Sequence, residues 1–424
     1  MSSYSLFFKN VFTLTWGTVV AQLVAILLQP LLRRYFSPQD FGAYAIYTSL
    51  IGVFVIIGSM RFELSIVLQS KKVDADYMLK ISFFSAFLVF IIISVILAAK
   101  YNWIANKLDF PESKKWWLYF FPFSLFLQSI YQSISNYLIR CKDFVANAKN
   151  KFFRRVGEGG VQISAGVFNI PFGLVIGDVF GNLINCLSGV YQIKKNGFKN
   201  IPLFSKGKFA PILKKNYSFP LYNGIPAFLN NLALLLPIFI VSRSFEINIV
   251  GQYDLARMLF IIPSALISQS ISQVLFQKVA ETKNREESFL PFFLRLLLLV
   301  SLISGLSLLI LRIYGVELVM FVFGDNWRQA GEMVKVLSIS FFVSFISSTL
   351  STTLVALGKI KVWSVWQIFY FILIFFLLLK PWDSIQDFLK QYIIIDVISY
   401  SIYLISIFLS VIFYDRSLIM KKVC

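Results

Sequence analysis

Residues 30–68 read PLLRRYFSPQDFGAYAIYTSLIGVFVIIGSMRFELSIVL, and the fold class follows from them. Pro30 closes one apolar run. A basic turn follows, with Arg33 and Arg34 and then Ser37-Pro38-Gln39-Asp40, and leads into Phe41-Gly42-Ala43-Tyr44. The next apolar run, about 24 residues long, is enough to cross a bilayer, which needs roughly 20. It carries two charges, Arg61 and Glu63. A charge at that depth costs a few kcal/mol or more, so it faces protein or water and marks a pathway. On a continuous helix, residues two apart point to different faces. The spacing therefore predicts that Arg61 and Glu63 do not simply neutralise one another.

The rest of the chain has the same character. It is 58% hydrophobic and 14% charged, where globular proteins sit near about 45–50% and about 25%. Mean hydropathy is +0.74. This composition predicts an all-α integral membrane protein. The net charge of +19 is read as basic cytoplasmic loops, not as a nucleic-acid surface. The absence of His excludes imidazole acid–base chemistry and His-ligated metal. Cys141, Cys186 and Cys424 are too few and too scattered for a disulfide framework or zinc site. The apolar run after Lys9 is too long and too polar, with Gln22 and Gln29, to be a cleavable signal.

Twelve spans are expected, at 11–32, 43–67, 78–99, 117–139, 154–169, 172–193, 216–240, 250–276, 290–312, 332–357, 362–379 and 391–414. With a cytoplasmic N-terminus, 25 of the 40 Lys and Arg fall on the cytoplasmic side and 11 opposite. The remaining four, Arg61, Arg257, Arg295 and Lys335, lie within or at the ends of spans. Both termini are thus expected inside. The chain also echoes itself. Pro30 and then FGAY at 41–44 parallel Pro237 and then VGQY at 250–253, and YLIRCKDF at 137–144 parallels TLVALGKI at 353–360. The expected organisation is an N-terminal six-helix lobe (1–195), a basic cytoplasmic linker (196–215) and a C-terminal six-helix lobe (216–424). Six spans per half would relate the lobes by an axis along the membrane normal.

Several groups carry the candidate chemistry. Gln22 and Gln29 share a face of span one. Span seven, FPLYNGIPAFLNNLALLLPIF, carries Asn223, Asn230 and Asn231 among prolines, a bendable polar helix suited to lining a cavity. Asp254 and Arg257 are three apart and so share a face. Gly173, Gly177 and Gly181 form a small-xxx-small face for close helix packing. Asp178 lies beside that face and Glu158 in span five; either could be a protonatable coupling group, with an interface position expected for Glu158, and Asp396 in span twelve is a third, weaker candidate. Asp74-Ala75-Asp76 looks like a glycosyltransferase metal motif but has no nucleotide-binding domain around it. No Walker loop is present.

RRYFSPQDFGAYAIYTSL with MRFELSIVL, the segment from Asn216 to Glu281, GDNWRQAGEMVKVLSISFF and ALGKIKV together resemble the Wzx-type O-antigen and capsule flippases. The resemblance implies the fold of the multidrug/oligosaccharidyl-lipid/polysaccharide (MOP) superfamily, with two six-helix lobes in a MATE-like V around a cavity lined by spans one, two, seven and eight. It implies an undecaprenyl-pyrophosphate-linked oligosaccharide moved to the periplasmic leaflet of a bacterial inner membrane by alternating access, alongside other polysaccharide assembly proteins. Twelve spans depart from the fourteen of the lipid II flippases. Arg61, Arg257, Arg33 and Arg34 would hold the pyrophosphate through charge-assisted bonds, with the glutamines and asparagines on sugar hydroxyls. Glu63, Asp254 and Asp178 would couple a proton or sodium gradient, with no cofactor. The rivals are a drug antiporter, whose cavity should be acidic, a membrane-embedded polymerase or ligase, which resembles proteins with a large periplasmic loop carrying catalytic Arg or His, and a structural scaffold.

Overall fold

The computed structural model describes residues 20, 22–198, 209–217, 220 and 224–423. Asn223, Cys424 and most of the expected linker (199–208) lie outside the described residues. Helices make up nearly all of it. They are α1 (22–35), α2 (Pro38–Gly58), α3 (Phe62–Leu68), α4 (Lys72–Lys107), α5 (Phe121–Arg140), α6 (Phe144–Val167), α7 (Gly173–Lys195), α8 (Phe209–Asn216), α9 (Ile225–Ser244), α10 (Ile247–Asn284), α11 (Leu290–Phe323), α12 (Arg328–Leu350), α13 (Thr352–Ala356), α14 (Ile360–Leu378) and α15 (Ile385–Val423).

Among the described residues, nine helical stretches are long and apolar enough to cross a membrane. Of the twelve expected spans, 11–32 lies partly outside the described residues, and those at 117–139 and 154–169 are not among the nine, although α5 and α6 have 20 and 24 residues. Their polar residues face inward. Ser124, Ser129 and Ser133 of α5 and Asn147, Asn150, Glu158 and Gln162 of α6 are all buried. Mean hydropathy misses such helices because their apolar surface faces the lipid and their polarity stays inside. On α11 the opposite holds. Leu298, Leu302, Leu306, Leu309 and Ile313 form an exposed stripe at helical spacing, the surface that hydrocarbon covers.

By packing, the chain divides into two compact units at Gly251/Gln252. In the first, α2 begins at a capping box. Asp40 N–H donates to Ser37 Oγ (3.2 Å), and Ser37 N–H donates back to the Asp40 carboxylate (2.9 Å). Reciprocal bonds of this kind satisfy orphan donors at a helix start. Lys114 ties the same carboxylate to the connection before α5. The helix stops at Gly58, because Met60 and Arg61 take left-handed backbone at φ 52° and 61°. That conformation is uncommon for bulky residues. The expected continuous span 43–67 is therefore two helices around a break.

The small-xxx-small face of α7 packs where it was expected to. Cβ atoms added at Gly177 and Gly181 would fall 2.8 Å from Glu158 O and 3.0 Å from Arg154 O of α6. Helix α9 runs antiparallel along α2. Phe228 meets Phe54 edge-on at 6.3 Å between centroids, and Asn231 Nδ2 donates to Gly52 O (2.8 Å). This packing places α9 in the first compact unit.

In the second unit, the Gln252 amide spans two ends of one turn. It donates to Asn326 O (2.7 Å) and accepts from Ala330 N–H (2.9 Å). Asp415 of α15 accepts from Phe289 and Leu290 N–H (3.0 and 3.1 Å) and from the Ser288 hydroxyl. It thereby caps the start of α11, whose first amides lack partners within the helix.

Candidate functional site

The interior of the first unit between α6 and α7 is polar along its length, and its character changes along the way. Toward the start of α6, amides satisfy one another. Asn150 Nδ2 donates to Gln192 Oε1 (2.7 Å), Gln192 Nε2 donates to Asn150 Oδ1 (2.8 Å), and Tyr131 donates to Asn147 (2.8 Å). One helical turn further the groups are ionic. Arg154 Nη2 lies 3.5 Å from Asp178 Oδ1, its Nε 3.9 Å from Glu158 Oε2, and Arg155 Nη1 3.0 Å from Glu158 Oε2. Asp178 and Glu158 are 3% and 7% exposed. From α2, Tyr44 lies within Coulombic range of both carboxylates and Tyr47 within range of Asp178. Tyr47 donates to Ser124 Oγ (2.6 Å), and that hydroxyl adjoins Asp178.

This ionic stretch is left incomplete. Arg154 Nε, Asp178 Oδ2, Asn182 Nδ2 and Asn185 Oδ1 are buried without a hydrogen-bond partner among the described residues. Each such atom costs about 1–3 kcal/mol. Residues 178, 182 and 185 share one face of α7. Such atoms in a native interior call for an explanation, and intramembrane ionisable groups are where one is sought.

Glu158, expected at an interface, is buried with two arginines at its carboxylate. One expectation about this region is corrected. Arg154 and Arg155, counted with the cytoplasmic loop cations, lie in the middle of α6, because the helix begins at Phe144 and not at 154.

The other predicted residues fall as follows. Arg33 is buried at 3% exposure. Its Nε donates to Gln29 Oε1 (3.3 Å), and its guanidinium stacks over Phe41 at 4.0 Å. Arg34 is exposed, and Gln22 is half-buried with Oε1 lacking a partner among the described residues. Arg61 Nη1 lies 3.5 Å from Glu63 Oε1. That pairing overturns the expectation that they point apart, because the left-handed break at Met60–Arg61 removes the helical geometry on which the expectation rested. Glu63, 2% exposed, also accepts from the Ser59 hydroxyl. Asn230 is half-buried, and Asn231 is spent on the backbone of α2. Asp76 of the Asp74-Ala75-Asp76 stretch is buried and accepts from Tyr137 (2.6 Å). This is a structural role.

In the second unit, Asp254 and Arg257 are half-buried on α10. Arg257 lies within Coulombic range of Asp396, which is 4% exposed. Asp396 accepts from Tyr370 and Ser340, each at 2.8 Å. Around it, Trp366 stacks on Tyr403 (4.1 Å) and Tyr370 (5.5 Å). Sequence reading ranked Asp396 below the other acids and passed over Ser340, Tyr370 and Asn182. Serine and tyrosine in an apolar helix carry no distinctive signal. The repeat offers one. The 216-residue offset between YLIRCKDF and TLVALGKI also carries Ser124 onto Ser340.

The chain matches the family model described as polysaccharide biosynthesis protein over residues 31–332. It is 27% identical over 160 residues to an uncharacterized membrane protein in the cps region of Klebsiella pneumoniae. That stretch is 38% of this chain and 33% of the relative, so the match spans about a third of that protein. Among solved structures, it superposes on an inward-facing multidrug resistance MATE family transporter of the MOP superfamily with a TM-score of 0.73, 12% identity, and coverage of 94% and 95% of the two chains. The lipid II flippase MurJ in an inward closed conformation gives 0.72 at 14% identity, covering 95% and 87%. A MOP superfamily transporter from Pyrococcus furiosus gives 0.63 at 12%, covering 96% of each. The chain is thus a multi-pass membrane protein with the MOP transporter fold, and it belongs to the polysaccharide biosynthesis protein family.

Proposed function

We propose that the protein is a flippase that moves a polyprenyl-pyrophosphate-linked oligosaccharide from the cytoplasmic to the outer leaflet of a bacterial inner membrane by alternating access. Family membership supports the glycan, and the likeness to MurJ, described as a lipid II flippase, supports the lipid carrier. The observation that carries the reading is the incomplete ionic cluster of Arg154, Glu158 and Asp178, built inside a membrane lobe where charge is expensive. A static scaffold gains nothing from it.

In this reading Arg33, Arg34, Arg61 and Arg257 neutralise the pyrophosphate, which otherwise faces about 30 Å of hydrocarbon. Gln22, Gln29, Asn223 and Asn230 meet sugar hydroxyls. Asp178, with Glu158, is the coupling group, and Glu63 and Asp254 are secondary ones. Loss or gain of a cation at Asp178 changes its attraction for Arg154 and so the packing of α6 on α7. The protein catalyses no covalent step.

The test is the leaflet occupied by the lipid-linked glycan in cells lacking the protein and in cells carrying Arg61→Ala. Cytoplasmic-side accumulation in both supports the flippase and the place of Arg61 in its path. Accumulation only in the deletion removes Arg61 from that path. Unpolymerised glycan on the outer side of the deletion strain would overturn the flippase and favour a polymerase or ligase.

A further inference from the structure

Helix α4 carries an apolar face that its own unit leaves partly unfilled. Ile93, Leu97 and Ile104 recur at helical spacing and so share one side of the helix. With Leu50 and Phe54 of α2 and Phe121 at the start of α5, they border a cavity of about 300 Å³. The lining is aliphatic or aromatic except for Lys107. Ile96 and Trp103, also in its wall, are 51% and 61% exposed, and Ile92 and Val95 are exposed on the same helix. An apolar surface of this kind is what hydrocarbon covers, so the cavity opens toward lipid. Helix α4 leaves helical geometry at Lys100 (φ −125°, ψ 24°), midway along this stretch. Its two halves therefore do not lie in one line against α2.

Aromatic residues mark the depth. Tyr101 stacks on Tyr119 at 4.6 Å between centroids, and Trp103 and Trp116 are exposed. Tyr and Trp gather at membrane–water interfaces. Lys107 stands one turn beyond Trp103, at headgroup level. Ile93 lies 14 residues before Lys107, about 21 Å at about 1.5 Å per residue. Half of a bilayer of about 40–45 Å, headgroups included, is the same length. Lys107 is exposed and has no ion-pair partner among the described residues, whereas Lys114 and Lys115 hold Asp40 and Glu112.

We propose that this cavity binds one phospholipid with an anionic headgroup. An acyl chain fills the space between α2, α4 and α5, and the Lys107 ammonium holds the phosphate. The chain restores to Leu50, Phe54 and Leu97 the contacts that an empty apolar space forfeits. A free anion would use Lys107 alone and leave the cavity empty. The match to the depth of one leaflet favours a resident of that leaflet over a chain whose headgroup must cross to the other. In the orientation proposed above this is the outer leaflet, and nothing else in the inference rests on that reading.

The test uses the purified full chain in detergent micelles, with phosphatidylglycerol carrying a diazirine near the end of one acyl chain. Photolysis is expected to mark residues 50–54 and 93–97. Unlabelled phosphatidylglycerol should compete at about fivefold lower concentration than phosphatidylcholine, the preference that one basic side chain gives for an anionic lipid. Lys107→Gln, a change at an exposed position, should keep the marking and lose the preference. Leu97→Trp fills the cavity and should lose the marking at 50–54. The inference would be overturned by equal marking of residues 302–306 of α11, which are exposed without a cavity, by a preference unchanged in Lys107→Gln, or by marking retained in Leu97→Trp. Competition by inorganic phosphate as strong as by the lipid would reduce the site to a surface cation. Competition by a polyprenyl phosphate at lower concentration than phosphatidylglycerol would hand the cavity to the tail of the transported glycan and overturn the resident lipid.

Discussion

Asp178 in the first unit and Asp396 in the second are both buried on the helix that ends their half of the chain, yet their surroundings differ. Asp178 sits among Arg154, Arg155 and Glu158, with one carboxylate oxygen and two neighbouring asparagine groups unsatisfied among the described residues. Asp396 has a hydroxyl on each oxygen and stacked rings around it. Both carboxylates have a serine from the fourth span of their half beside them, Ser124 in one and Ser340 in the other. The common scaffold is therefore a buried carboxylate with a serine, and the halves diverge in what completes it. The first unit surrounds its carboxylate with charged side chains, and the second surrounds it with hydroxyls and stacked rings.

The largest effect expected is from Arg154→Ala. It leaves Asp178 and Glu158 buried with less compensation, and breaking a buried pair costs about 3–5 kcal/mol. Thermal unfolding in detergent should show it, and a loss no larger than that of Asp396→Asn would erase the distinction between the units. A sharper version is the double variant Arg154→Met with Asp178→Leu. Replacing a buried pair with apolar side chains is often neutral or stabilising by about 1–4 kcal/mol, so stability should return while transport stays lost. Recovery of transport would make the cluster structural. Next comes Tyr370→Phe, which deletes one donor to Asp396 and should cost about 1–3 kcal/mol with transport retained at reduced protein level. The smallest effect is from Arg34→Ala. An exposed side chain away from packing should move unfolding by no more than about 0.5 kcal/mol, and a larger shift would mean that Arg34 is held as Arg33 is.

Much of this was legible in the residues. The apolar runs, the small-residue face at Gly173, Gly177 and Gly181 and the repeat of FGAY as VGQY all report backbone or bulk packing, which sequence patterns encode directly. What escaped depended on local breaks and on context. Arg61 and Glu63 were read on an unbroken helix, and two left-handed residues, neither of them glycine, bring the charges together. Nothing in SMRFE announces a left-handed turn. Arg154 and Arg155 looked like loop cations because the span was expected to begin at 154, which puts both at its end. They are half-buried and reach inward to Glu158 and Asp178 because α6 is polar inside and apolar outside, the reverse of a soluble amphipathic helix. Asn231 was read as cavity lining from its type and place, and its bond to the α2 backbone is something only the antiparallel partner could reveal.

The most direct test of the central claim uses purified protein in liposomes carrying a fluorescent polyprenyl-pyrophosphate-linked oligosaccharide, with a membrane-impermeant quencher added outside. The account predicts that label protected in the inner leaflet becomes accessible when the protein is present and stays protected with Asp178→Ala. Protection equal to that of protein-free liposomes, under imposed proton and sodium gradients of either direction, would contradict it.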